Sequence, residues 1–172
     1  MRPAVLLILV IILNFGLLGC KTAPIPDFPP IFVPQGMTVI EVETAILITL
    51  VADEPLILEA ETPPTPEQLE KILRRAALRP PDKSPRWHLK RRSKMSVEAE
   101  YVRRNFTLLL ELRYDEEKIQ PSIIDSKNLK QSKNRIHKAA ILWAQQFSDR
   151  ISGSLQWVRQ FPTETERAED TP

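Results

Sequence analysis

The hydrophobic period of this chain changes several times, and each change predicts an element. After Gly36, the residues Val39, Val42, Ile46 and Leu50 recur at helical spacing. Thr38 stands where an N-cap belongs, and Glu41 three residues on completes the pattern of a capping box. A helix is predicted over 39–51, with a strand as the alternative because Ala45, Ile48, Thr49 and other β-branched residues crowd the segment. Residues 52–64 contain Pro55, Pro63 and Pro64 and read as a loop. A second helix over 65–79 has Thr65 as N-cap, Pro66 at its first position and Gln68 closing a box. Glu67 suits the positive end of the helix dipole. Leu69, Ile72, Leu73, Ala76 and Ala77 form the apolar stripe, and Pro80-Pro81 is the stop signal.

From 86 to 126 the period falls to two. Trp87 and Leu89 open a short strand, and 90–94 reads as a turn. Met95, Val97, Ala99 and Tyr101 alternate with polar residues, and Arg103-Arg104-Asn105 reverses the chain. Phe106, Leu108, Leu110, Leu112 and Tyr114 share one face before a turn at Asp115-Glu116-Glu117. Ile119, Ile123 and Ile124 mark a last strand, in which Pro121 argues for an edge. Short turns between neighbouring strands imply an antiparallel meander. The helical period returns from 132 to 161 with Ile136, Ala140, Trp143, Phe147 and Ile151, extended by Leu155 and Val158 beyond Gly153, where the helix is expected to bend or end. The predicted fold is α+β: a two-layer sandwich with an N-terminal helix or helices, a four-stranded antiparallel meander and a long C-terminal helix.

The start of the chain has a different character. Arg2 precedes an apolar run to Leu18, and Gly19-Cys20 follows. The run is nearer 15 residues than the roughly 20 that a membrane span needs, and it has the layout of a secretory leader with a small residue before the cut. Leu17-Leu18-Gly19-Cys20 resembles a lipobox, with Leu18 bulkier than the usual residue at its position. The resemblance implies removal of 1–19 and a diacylglyceryl thioether on Cys20. Several acyl chains hold a protein stably on its bilayer. Lys21, where an Asp would signal inner-membrane retention, points to the periplasmic face of the outer membrane. A secreted chain with a free Cys20 thiol is the alternative. Cys20 is the only cysteine, so no intramolecular disulfide can form.

Residues 20–36 read as a Pro-rich tether. Pro24, Pro26, Pro29, Pro30 and Pro34 favour an extended path of about 3.1 Å per residue, or about 50 Å in all. Phe28, Ile31 and Phe32 are too apolar for a pure spacer, so part of it is a candidate to dock on the domain. One domain is expected over 37–160, and the acidic stretch 161–172 reads as a disordered tail.

Net charge is +2, but its distribution is uneven. Residues 22–70 hold nine acidic side chains and no Lys or Arg, whereas 71–104 hold twelve basic and three acidic ones. Arg86, Lys90, Arg91, Arg92, Lys94, Arg103 and Arg104 therefore form a candidate anion-binding set, with Trp87 and His88 among them. Lipopolysaccharide, phospholipid or peptidoglycan would be the anion at that location, and nucleic acid is not expected. The competing reading lays the acidic N-terminal part against the basic strands of the same molecule.

Few chemistries find their residues here. Beyond Cys20 the chain has two glycines, Gly36 and Gly153, so it has no Gly-rich phosphate loop. No G-x-S-x-G elbow occurs. His88 and His137 stand far apart with no free thiol beside them, which argues against a zinc site. No cofactor or metal is expected. His137 with Asp125 could form a base and its orienter, but Asp, Ser, Asn and His at such spacing more often satisfy backbone at a turn. The acids at 115–117 read as solvated turn residues, and Trp143 and Trp157 as core.

Asp125-Ser126-Lys127-Asn128-Leu129, then Ile136-His137, then Trp143 resemble a family of small Gram-negative lipoproteins of uncharacterised function. The likeness covers roughly 84–151, with 38–50 matching the first helix and 52–64, or 52–79 with the second helix included, resembling an insertion. Lys138 stands where many members have Pro, and Ile141-Leu142 replace a more polar pair. Asp125, Ser126, Asn128, His137 and Trp143 are the motif residues, with structural roles implied. The resemblance brings no reaction, cofactor or substrate. The expectation is a non-enzymatic, lipid-anchored outer-membrane protein that binds an envelope protein, with an anionic envelope component as the alternative ligand.

Overall fold

In the computed structural model, residues 22–54, 57, 59–78, 85–132 and 134–161 are described. The leader over 1–19, Cys20, the Pro80-Pro81 stop and the tail from 162 lie outside the described residues.

Strands β1 (Thr22–Pro24) and β2 (Ile31–Phe32) come first, followed by helices α1 (Val39–Leu50) and α2 (Pro66–Leu78). Strands β3 (Arg86–Ser93), β4 (Ser96–Arg103), β5 (Phe106–Tyr114) and β6 (Lys118–Lys127) form the meander, and β7 (Arg135–His137) leads into α3 (Lys138–Arg159). The main sheet has five antiparallel strands in the order β2-β6-β5-β4-β3, and β1 pairs with β7 in a separate ribbon. The fold is an α+β sandwich.

Both N-terminal caps form as their sequences predict. Thr38 N–H donates to Glu41 Oε2 at 2.8 Å and Thr38 Oγ1 accepts from Glu41 N. Thr65 and Gln68 exchange the same two bonds. Such caps satisfy N–H groups that the helix itself leaves unpaired. The first helix is buried almost all round from Ala45 to Leu50, as a helix wrapped by other elements must be. It packs against α3 and α2, and Thr49 Oγ1 donates to Ala45 O and bonds Ser154 Oγ at 2.8 Å across the interface with α3.

Alternation sets the core face of the sheet. Val97, Ala99, Tyr101, Leu108, Leu110, Leu112, Tyr114 and Ile119 are buried. Ala140, Ala144, Phe147, Ile151, Leu155 and Val158 complete the core from α3. Trp143 sits at the margin of that stripe and Ala144 takes the centre. Each fully buried Leu, Ile or Phe contributes roughly 1.5–3 kcal/mol through area removed from water. Glu98, Glu100, Val102, Leu109 and Glu111 alternate onto the other face and are only partly buried.

Several expectations are corrected. The four-stranded meander stands as expected, but the sheet gains a fifth strand because β2 from the supposed tether pairs with β6. That tether is folded onto the domain from Thr22: Phe28 and Val33 are buried at 5% and 8% exposure, and Gln120 Nε2 donates to Phe28 O at 2.8 Å. Burial of its apolar residues outweighs the extended preference of its prolines. Pro121 therefore lies in a strand that is not the outermost, beyond the two residues where β2 pairs. The segment 90–94 is mostly strand, not turn; the reversal is Lys94-Met95, with Met95 left-handed at φ 57°. Met95 thus leaves the predicted alternation. Asp125 to Lys127 are strand too, and the turn begins at Asn128. Gly153 does not end α3, and a methyl group in place of its hydrogen would meet no atom within 4 Å.

Candidate functional site

Two bulges decide which side chains reach which face. In β3, Leu89 faces Ala99 but Arg91 faces Glu98, so Lys90 is an extra residue. Were Lys90 paired with Glu98 in a regular ladder, Arg92 would point away from the helices, since a one-residue shift exchanges the faces of a strand. With Lys90 bulged out, Arg92 lies opposite the buried Val97 and forks onto Glu43 of α1, at 2.5 Å from Nε and 2.9 Å from the second guanidinium nitrogen. Glu70 of α2 is 4.0 Å from the same guanidinium. The Glu43 bond holds the Arg92 proton more firmly than usual. Tyr114 also bonds Glu43, and burial first, then that carboxylate, pushes its phenol well above the ordinary tyrosine range.

The other candidate cations are dispersed. Lys90 pairs with Glu100 at 3.4 Å and Arg91 with Glu98 at 3.9 Å, both across the β3–β4 ladder. Arg103 lies over the Trp143 ring at 5.8 Å, a cation–π distance. Lys94 and Arg104 stand in the turns at opposite ends of β4. Arg86 begins β3 beside a cleft of about 260 Å³ shared with Leu50, Asp53, Trp87 and His88. β3 is an edge strand, and basic residues on an edge oppose pairing with another chain. The sequence split between acidic and basic halves is closed in part within the molecule, at Arg92.

The second bulge is in β6. Leu109 faces Asp125 and Leu110 faces Ile123, so Ile124 is the extra residue. Asp125 is thereby exposed on the outer face and accepts from Ser126 N at 2.7 Å. Ser126 lies opposite the buried Leu108, and its hydroxyl is buried without a hydrogen-bond partner. Asn128, left-handed at φ 61°, donates from Nδ2 to Asn105 O at 2.6 Å. His137 N-caps α3: its Nδ1 accepts from Ala139 N at 3.2 Å, and its own N–H donates to Leu129 O at 3.0 Å. Among the described residues no hydrogen bond or ion pair joins Asp125 to His137. Asp125, Ser126, Asn128 and His137 are brought to one end of the sheet, where Asn128 and His137 tie the β6–β7 loop to the β4–β5 turn and to the start of α3.

Trp143 belongs to an aromatic cluster. Trp87 stacks on Phe147 at 4.2 Å between centroids, Trp87 lies 5.1 Å from Tyr101, and Tyr101 lies 4.7 Å from Trp143. Burial raises the Tyr101 phenol above its usual value. A shallow cleft of about 440 Å³ runs along these rings to Arg150, which pairs with Asp53 at 3.8 Å. In the turn between β5 and β6, Asp115 Oδ1 accepts from Glu117 N and Lys118 N at 2.8 Å, and these two bonds lower its carboxyl below the usual range.

A set of cations absent from the sequence-based candidates emerges at the motif end of the sheet. Lys127, Lys130, Arg135 and Lys138 are all exposed there. Their signal in the sequence is the absence of any Asp or Glu from 126 to 148. No family model, no curated protein and no solved structure matches this chain.

Proposed function

We propose that the protein is a lipid-anchored module of the bacterial outer membrane, held close to the periplasmic leaflet, that binds an envelope protein through the outer face of its sheet. The observation that carries this reading is the position of β1. It begins two positions after Cys20 and is paired to β7 from Thr22 onward, with Arg135 donating to Thr22 O at 2.9 Å. A lipid on Cys20 would therefore tie the domain to the bilayer through Lys21 alone. Among the described residues no helix is long and apolar enough to cross a membrane, so the anchor would be the attachment.

The open face supports a protein ligand. Val102 and Leu109 give it apolar ground, and Glu98, Glu100 and Glu111 ring them. Glu98 and Glu111 are direct cross-strand partners, each beside an arginine, Arg91 and Arg113, so the rim of the face carries both signs of charge. An anionic ligand on the 86–104 hairpin is the weaker reading, since Lys90, Arg91 and Arg92 already hold carboxylates.

The test has two parts. Intact mass of the purified native protein reports acylation of Cys20, and an unmodified Cys20 would remove the anchor. A photoreactive residue replacing Leu109 should trap one reproducible envelope protein, while the same residue replacing buried Leu110 should trap none. Identical adducts from both positions would remove the docking face.

A further inference from the structure

One pole of the sheet is basic and the other is of mixed charge. The fold gathers Arg104, Lys127, Lys130, Arg135 and Lys138 at the pole where the chain enters from Cys20. Asn128 ties the β6–β7 loop to the Arg104-Asn105 turn, His137 ties it to α3, and Thr22 pairs with His137. All five cations are exposed. Among the described residues none of them has an ion pair; the Arg135 guanidinium donates to the Thr22 carbonyl. The carboxylates near them in sequence are Asp125 and Glu100, and Glu100 is paired with Lys90. The far end carries Asp115, Glu116 and Glu117 in the turn between β5 and β6, with Lys118 beside them and Lys94 in the adjacent β3–β4 turn. β5, nine residues long, separates the two poles by about 30 Å.

We infer that the basic pole docks on the anionic phospholipid headgroups of the same bilayer that holds the Cys20 lipid. The inference rests on the anchor reading and adds an orientation to it. The acyl chains fix the distance, and the charges fix which end faces the surface. Five unpaired cations at one pole, against a mixed set at the other, make the basic pole the end that an anionic surface attracts. Each Lys or Arg near an anionic surface strengthens partition about fivefold, and the effect fades within a Debye length. Lys138 shows that local stability does not explain the pattern. It is the first residue of α3, whose first turn has no acidic residue, and a cation there opposes the helix dipole.

Acylated Cys20 has no free thiol, so a cysteine introduced elsewhere is unique. The lipidated full chain is reconstituted in phosphatidylcholine vesicles with or without phosphatidylglycerol, carrying a fluorophore on Gln131→Cys or on Glu116→Cys. Nitroxide on the lipid headgroups reports proximity. The label at 131 should be quenched several-fold more than the label at 116 in phosphatidylglycerol vesicles. The difference should shrink several-fold in phosphatidylcholine alone, in molar salt, and in the Lys127→Glu/Lys138→Glu variant, leaving the part that the anchor itself imposes. That variant should fold, because Glu at the first position of α3 favours the helix. Equal quenching at the two positions, or a difference indifferent to lipid charge and salt, would overturn the docking. Intact mass separates the two readings: missing acyl groups remove the anchor, while the lipid and salt dependence of the 131 label decides the docking by itself.

Discussion

Arg92 forks onto Glu43 because Lys90 is bulged out of the β3 ladder instead of pairing in it. The bulge turns a basic side chain onto the helical face of the sheet, where it bridges to α1 and stands 4.0 Å from Glu70 on α2. The side chains keep 47% and 16% of their exposure, so solvent screens the pair and a coupling of about 1 kcal/mol is expected. A double-mutant cycle of Arg92→Ala and Glu43→Ala, read by denaturant unfolding, measures it. Arg92→Lys should lose most of that coupling, since an ammonium cannot make the fork. Deleting Lys90 should be tolerated and should keep the coupling, because it removes the bulge and leaves Arg91 opposite Glu98 and Arg92 opposite Val97 in a regular ladder. Strictly additive single mutants would remove the pair as a determinant of how α1 sits on the sheet.

His137 acts on the fold through its cap. Nδ1 accepts from Ala139 N at 3.2 Å, and losing such an acceptor costs about 1 kcal/mol. His137→Ala should destabilise the fold by that amount in denaturant unfolding, and His137→Asn or His137→Ser should restore most of it. Recovery by Asn is the discriminating result, because a catalytic imidazole would not be replaced by an amide. If Asn were no better than Ala, the cap would not be what the side chain contributes.

The helices are legible in the sequence because their signals are local. Thr38 with Glu41, and Thr65 with Gln68, state their caps within four residues, and strand alternation states the core face of β4 and β5. What period two cannot show is an insertion. The bulge residues Lys90 and Ile124 each shift a strand by one, and this moves Arg92 inward and Asp125 outward. The basic hairpin therefore looks like one surface in the sequence although its cations go to different places. The N-terminal segment is ambiguous for a related reason: prolines announce an extended backbone, and an extended backbone with Phe28 and Val33 in it is also what an added strand requires. The basic pole is hidden in the sequence because its residues lie on both sides of a loop and meet only through Asn128 and His137.

Both tyrosines of the chain have phenols raised above the ordinary value, Tyr101 through burial and Tyr114 through burial and its bond to Glu43. The neutral phenol is therefore the form that the fold favours. Stability from this source is fully present below the unfolded value of about 10 and is lost as pH rises through the native values. Phenolate absorbance of the native protein should lag that of the unfolded chain at every alkaline pH. Glu43→Gln should bring the Tyr114 transition down and leave that of Tyr101 in place. A phenol titrating near 10 in the folded protein would contradict the burial of these rings.

Phe28 decides whether the N-terminal segment is part of the domain. It is 5% exposed in the core cluster, and Gln120 holds its carbonyl at 2.8 Å. Phe32, in register with Lys118 in the β2–β6 pair, is 76% exposed. Phe28→Ala should cost about 3 kcal/mol, the lower end for deleting a buried aromatic ring, whereas Phe32→Ala should be nearly neutral. Hydrogen exchange should then localise the change. In the Phe28 variant the amides of Ile25 and Val33, bonded to Asn134 O and Glu117 O, should lose protection together while those of β4 and β5 keep theirs. This pattern follows if the segment is a docked strand that can be released from an intact sandwich. Retained protection at Val33 would mean that β2 pairing holds without the ring, and a loss spread over β5 would mean that the segment belongs to the global core. With the segment released, a lipid at Cys20 would tether the domain loosely, and the orientation of its basic pole toward the bilayer should weaken with it.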